Sequence, residues 1–144
     1  MATTTPQLTP EEAVIYLMIL ASASDGSINP DELRTIGRVV RSFSLFSDQH
    51  ENDLVRHAEK AGEVMSSEGG LHKVIDAARD ALPDHLAETA YAAVVDVVTA
   101  DESLNLEEIR ILELIRNGLS VSDEGAAAIE HAARARHMTL EEPV

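Results

Sequence analysis

Asp25, Glu32, Asp101 and Glu108 hold matching places in two acidic turns, Asp25-Gly-Ser-Ile-Asn-Pro-Asp-Glu-Leu33 and Asp101-Glu-Ser-Leu-Asn-Leu-Glu-Glu-Ile109, 76 residues apart. Both turns fit Asp-x-Ser-(Ile/Leu)-Asn-x-acid-Glu-(Leu/Ile), which marks an internal duplication. Carboxylates are hard oxygen donors suited to Ca²⁺, Mg²⁺ or Mn²⁺. An EF-hand calcium loop takes oxygens from positions 1, 3, 5, 7, 9 and 12 and needs Gly at 6. With Asp25 at position 5, Gly26 falls at 6 and Glu32 at 12, but positions 1 and 3 are Ala21 and Ala23. In the second turn Glu102 replaces the glycine, and Val97 and Thr99 take the first two ligand positions. Neither turn makes a working calcium loop alone.

Two incomplete loops can still make one site. If the copies pack about a pseudo-twofold axis, Asp25, Glu32, Asp101 and Glu108 converge and offer a divalent cation a shared carboxylate cluster. Two like charges about 4 Å apart repel by roughly 4 kcal/mol at an effective dielectric near 20, so such a cluster favours a bound cation. Asp96 joins the candidates as a ligand because it interrupts Val94-Val95 and Val97-Val98, where the first copy has Leu20. An acid in so apolar a stretch needs a cation or an ion pair, with Arg34 and Arg110 as the expected partners.

Helix capping competes with the metal reading. Asn29 and Asn105 are good N-caps, Glu32 and Glu108 fall at the third helical position, and acids there suit the helix dipole. Capping alone explains both glutamates. It leaves unexplained why an Asp precedes each cap by four residues.

No other pattern argues for catalysis. His50 and His57 lie seven apart, the remaining histidines are scattered, and His-Glu-x-x-His does not occur. A Gly-rich phosphate loop and a Gly-x-Ser-x-Gly elbow are both missing. The expectation is a non-enzymatic protein. Arg34, Arg38 and Arg41 form a stripe at helical spacing that reads as a solvated face pairing with local acids.

The elements that must position these residues read as helices throughout. Thr9-Pro10-Glu11-Glu12 is a start signal for a helix running to about Ser24, apolar on nearly every face. Asn29-Pro30-Asp31-Glu32 starts a second, with Leu33, Ile36, Val40 and Phe43 on one face. Ser47 caps a third helix through about Ala61, with Leu54, Ala58 and Ala61 inward. Residues 63–70 break the chain before a fourth helix, Leu71 to Leu82, that Pro83 stops. The fifth, Asp84 to about Ala100, mirrors the first. Asn105 caps a sixth and Ser122 a seventh. The fold expected is an all-α compact bundle of about seven helices built on a duplicated helix-turn-helix. One domain spans residues 9–137, with tails at 1–8 and 138–144.

Composition agrees. The chain has 144 residues, 44% of them apolar but only 3% aromatic, so Ala, Val, Ile and Leu must build the core. Its formal charge of −15, from 11 basic and 26 acidic residues, repels phosphate backbones and excludes nucleic acid. It welcomes cations and basic protein partners. There is no cysteine, so thiolate sites and disulfides are excluded. The opening residues lack the basic and apolar regions of a secretory signal, and no apolar run reaches spanning length. A cytoplasmic protein without membrane insertion is the expectation.

The first turn, Ala21-Ser-Ala-Ser-Asp25-Gly26-Ser-Ile28-Asn-Pro-Asp-Glu32, resembles the tellurite-resistance TerB-like family, whose members carry Ala-x-Ala-x-Asp-Gly-x-(Ile/Val)-x-x-x-Glu after the first helix. Thr99-Ala-Asp101-Glu-Ser-Leu104-Asn-Leu-Glu-Glu108 looks like the family's degenerate second copy. The likeness covers residues 9–137. It implies a bundle of about seven helices, an acidic surface proposed to bind divalent metal at Asp25, Glu32, Asp101 and Glu108, and cytoplasmic action in metal-stress or phage-defence systems beside membrane partners. Glu102 and Asp96 depart from the first copy and unsettle a symmetric pair of sites. The alternative is a ligand-free structural or interaction domain whose acidic turns only cap helices.

Overall fold

The computed structural model describes residues 7–23, 28–100 and 105–141. Over these the chain is all-helical: α1 (Pro10–Ser22), α2 (Pro30–Ser42), α3 (Asp48–Asn52), α4 (Leu54–Met65), α5 (Gly70–Ala81), a 3₁₀ turn (Asp84–Leu86), α6 (Ala87–Ala100), α7 (Leu106–Gly118) and α8 (Asp123–Arg136). Asp25 and Asp101 lie outside the described residues.

The start signals act as their chemistry requires. At α1 the Thr9 hydroxyl accepts from the Glu12 amide at 3.2 Å and the Glu12 carboxylate accepts from the Thr9 amide at 3.0 Å, satisfying two donors that a helix start leaves open. Pro10 takes the first helical position, where its missing N–H costs nothing. From Ala13 to Ala21 every residue of α1 is buried, because α2, α4, α5, α6 and α7 all pack around it. A helix apolar all round is stable only inside such a cage. The second central helix, α6, buries Ala90, Tyr91 and every residue from Ala93 to Val98, against α1, α2, α7 and α8.

Three boundaries differ from expectation. The single helix expected from Ser47 to Ala61 is interrupted at Asp53, whose φ of −91° and ψ of 4° leave the helical well, and α4 then continues to Met65. The break expected over 63–70 is therefore shorter. Gly69 enters it at φ +68°, and a Cβ on Gly70 would sit 2.3 Å from the Val64 carbonyl oxygen, so the pair of glycines lets α5 reverse tightly over the end of α4. The expected fifth helix begins as a 3₁₀ turn after Pro83 before it becomes α6. Among the described residues the bundle thus has eight α-helices, where about seven were expected.

Candidate functional site

The starts of α2 and α7 share one cavity. It encloses about 290 Å³ and is walled by the end of α1 (Ala21 and Ser22), the start of α2 (Glu32), the last turns of α6 (Val97 and Val98) and Glu108 of α7. Of the five residues singled out as ligands, Glu32 and Glu108 share this cavity. Asp96 does not line it, and Asp25 and Asp101 lie outside the described residues.

Each glutamate is placed by its cap. Asn29 Oδ1 accepts from the Glu32 amide at 2.8 Å, and Glu32 Oε1 accepts from the Asn29 amide at 2.9 Å, a complete reciprocal box. Asn105 Oδ1 accepts from the Glu108 amide at 2.8 Å, and Asn105 is fully outside the core while Glu108 is 8% exposed. Glu32 is half-buried. The cavity lining also includes Ser22, whose hydroxyl is buried and without a hydrogen-bond partner. Such a group loses water without recovering a bond, at a cost of about 1–3 kcal/mol.

Asp96 is a buried acid answered by a distant base. It is 6% exposed, and its Oδ1 accepts from Arg136 Nη2 at 2.6 Å and Nε at 3.2 Å, with His137 Nε2 3.5 Å away. The partner comes from the end of α8, 40 residues on, in place of the expected Arg34 or Arg110. Arg34 instead reaches Asp31 at 2.7 Å on its own helix, and Arg110 is exposed. Asp96 lines a neighbouring cavity with Arg38, Arg136 and His137. Among the described residues no three His, Cys, Asp or Glu side chains gather in a way that holds a metal ion.

Sequence reasoning missed His57, which is 3% exposed on the inner face of α4. Its spacing from Leu54, Ala61 and Val64 on that face was the available signal. Its ring meets Tyr16 edge-on at 6.1 Å between centroids, and Nδ1 lies 3.8 Å from Glu12 Oε2. Burial holds the imidazole below its usual pKa, against the pull of Glu12. Burial acts to raise the Glu12 carboxyl, but the Thr9 amide and hydroxyl, with His57, hold it below the ordinary value. Burial also pushes the Tyr91 phenol up, helped by its 2.7 Å hydrogen bond to Glu130.

Fold and site together define an all-helical module in which two capped helix starts share a small cavity. The chain belongs to the TerB family: residues 11–131 match the family described as tellurite resistance protein TerB. No curated protein and no solved structure matches it. No helix among the described residues is long and apolar enough to cross a membrane.

Proposed function

We propose that this chain is a non-enzymatic, cytoplasmic interaction module that works through protein partners in a metal or stress response, with its acidic turns serving as helix caps. The observation that carries this reading is the Glu32 carboxylate, which is engaged by the Asn29 amide in a complete capping box. A cap of this kind needs no ligand. The family supports the setting, and the charge of −15 favours partners with basic surfaces.

A second reading, a divalent cation shared by the two turns, is supported by the cavity wall. Ala21 and Val97, Ser22 and Val98, and Glu32 and Glu108 are each 76 residues apart in the chain, and all six line it. α1 packs on α7 as α6 packs on α2, a reciprocity that a pseudo-twofold relation would require. The unpartnered Ser22 hydroxyl belongs to a residue of the same lining and adds a neutral oxygen to the donor set.

Titration of Ca²⁺, Mg²⁺ and Mn²⁺ into metal-stripped protein, followed by heat and by Tm, separates the readings. The cap reading expects no saturable heat and no rise in Tm. It also expects Glu32→Gln to change stability by less than about 0.5 kcal/mol, because glutamine can fill the same box. Saturable binding that Glu32→Gln and Glu108→Gln each weaken would replace it with the cation reading, since bound metal stabilises the folded state by mass action.

A further inference from the structure

A cavity larger than the one at Glu32 and Glu108 lies where α6, α7 and α8 meet. It encloses about 430 Å³, a volume within the range of small-molecule sites. Val95 and Val98 of α6 and Ile109 and Leu112 of α7 give it an apolar wall. Ile109 is 38% exposed there.

Two guanidinium groups border this wall. Arg116 pairs through Nη2 with Asp123 at the start of α8, which leaves its Nε buried and without a hydrogen-bond partner. A charged donor kept from water in this way is a standing demand for an acceptor. Arg134, one turn beyond Glu130 on α8, makes no ion pair among the described residues. The acids on the cavity are Glu113 and Glu130, and Glu130 already accepts from the Tyr91 hydroxyl. The four charged lining residues sum to zero and Asp123 on Arg116 adds one negative charge beside them, so the site tolerates at most one added negative charge.

We propose that the α6–α7–α8 cavity binds a small amphipathic monoanion, a carboxylate carried on an aliphatic or aromatic body. The carboxylate pairs with the Arg116 guanidinium, whose Nε lacks an acceptor, and draws Arg134 over it, and the body covers Val95, Val98, Ile109 and Leu112. Planar two-oxygen anions suit the guanidinium fork better than a point charge does. The acidic surface slows approach, but its field is screened beyond about 8 Å at physiological salt.

Octanoate is the probe, titrated calorimetrically in the presence of a chelator so that any cation site stays silent, with octan-1-ol and octylammonium as matched controls. The expected result is one saturable site for octanoate, with both controls at least about tenfold weaker, the worth of one hydrogen bond to a charged group. Arg116→Met should weaken octanoate roughly tenfold, and Arg134→Met about threefold, as for an exposed pair. Arg134 is exposed and supports no packing, so its variant decides the matter even if Arg116→Met fails to fold. Equal binding of octanol, unchanged affinity in Arg134→Met, or no saturation by about 1 mM octanoate would each overturn the proposal.

Discussion

The α1–α2 half and the α6–α7 half use the same turn and bury different surfaces beneath it. Both second helices start on an asparagine whose Oδ1 accepts from the amide three residues on, at 2.8 Å in each case. The inner helices have diverged. Leu20 of α1 is 1% exposed among apolar neighbours, while Asp96, 76 residues later in α6, meets Arg136 from α8. The outer glutamates have diverged too, Glu32 being half-buried and Glu108 buried. Caps are satisfied within their own turn, so they persist wherever the local sequence persists. Buried positions answer to whatever packs on them: α1 is covered by α4 and α5, and α6 by α8.

The sharpest break between the halves is at that pair of positions. Leu20→Ala should lower unfolding free energy by about 3 kcal/mol in urea, the cost of lost burial plus a cavity. Asp96→Leu, which makes the second half match the first, should stay within about 1 kcal/mol of the native protein, because exchanging a desolvated ion pair for an apolar side chain is often neutral or stabilising. A loss at Asp96→Leu as large as at Leu20→Ala would show that the Arg136 pair holds α8 in place.

Smaller and symmetric losses are expected at the caps. Asn29→Ala and Asn105→Ala should each cost about 1 kcal/mol by the same urea assay. Markedly unequal losses would mean that one turn carries a load beyond capping.

The smallest difference is in acid. Glu12 and His57 tie the start of α1 to α4, whereas His85, at the start of the second half, is exposed. His57 is held below 6.5, its unfolded reference, so the folded state binds fewer protons than the unfolded one as pH drops past that value. Its contribution is therefore complete above pH 6.5 and is lost as pH falls through the folded pKa. Glu12, held below 4.5, likewise contributes above its reference value and loses that contribution at lower pH. In melting curves taken across pH, His57→Phe should flatten the upper part of the acid decline and Glu12→Gln the lower part. Superimposable profiles for native protein and His57→Phe would remove the histidine from this account.

Four of the helices, α1, α2, α7 and α8, were legible because each begins on a cap and runs on an apolar period that stands in the chain itself. Thr9, Asn29, Asn105 and Ser122 all cap as their residue types predict. Asp53 was harder to read, since nothing beside it resembles a stop signal. His57 sat on the apolar period of α4 but was weighed only for its seven-residue spacing from His50. For Asp96 the need for a partner followed from its apolar setting, while the partner's identity did not.

By itself, then, the amino-acid sequence determined the all-helical class, the caps, the repeated turn and the acidic character, because each rests on contacts spanning four residues or fewer, or on composition. Only the tertiary structure decided that Glu32 and Glu108 face one cavity, that Arg136 answers Asp96 across 40 residues, and that α6, α7 and α8 leave an apolar hollow bordered by two arginines. Those features depend on how much space remains when helices of given side-chain volume meet, and no local pattern records that space.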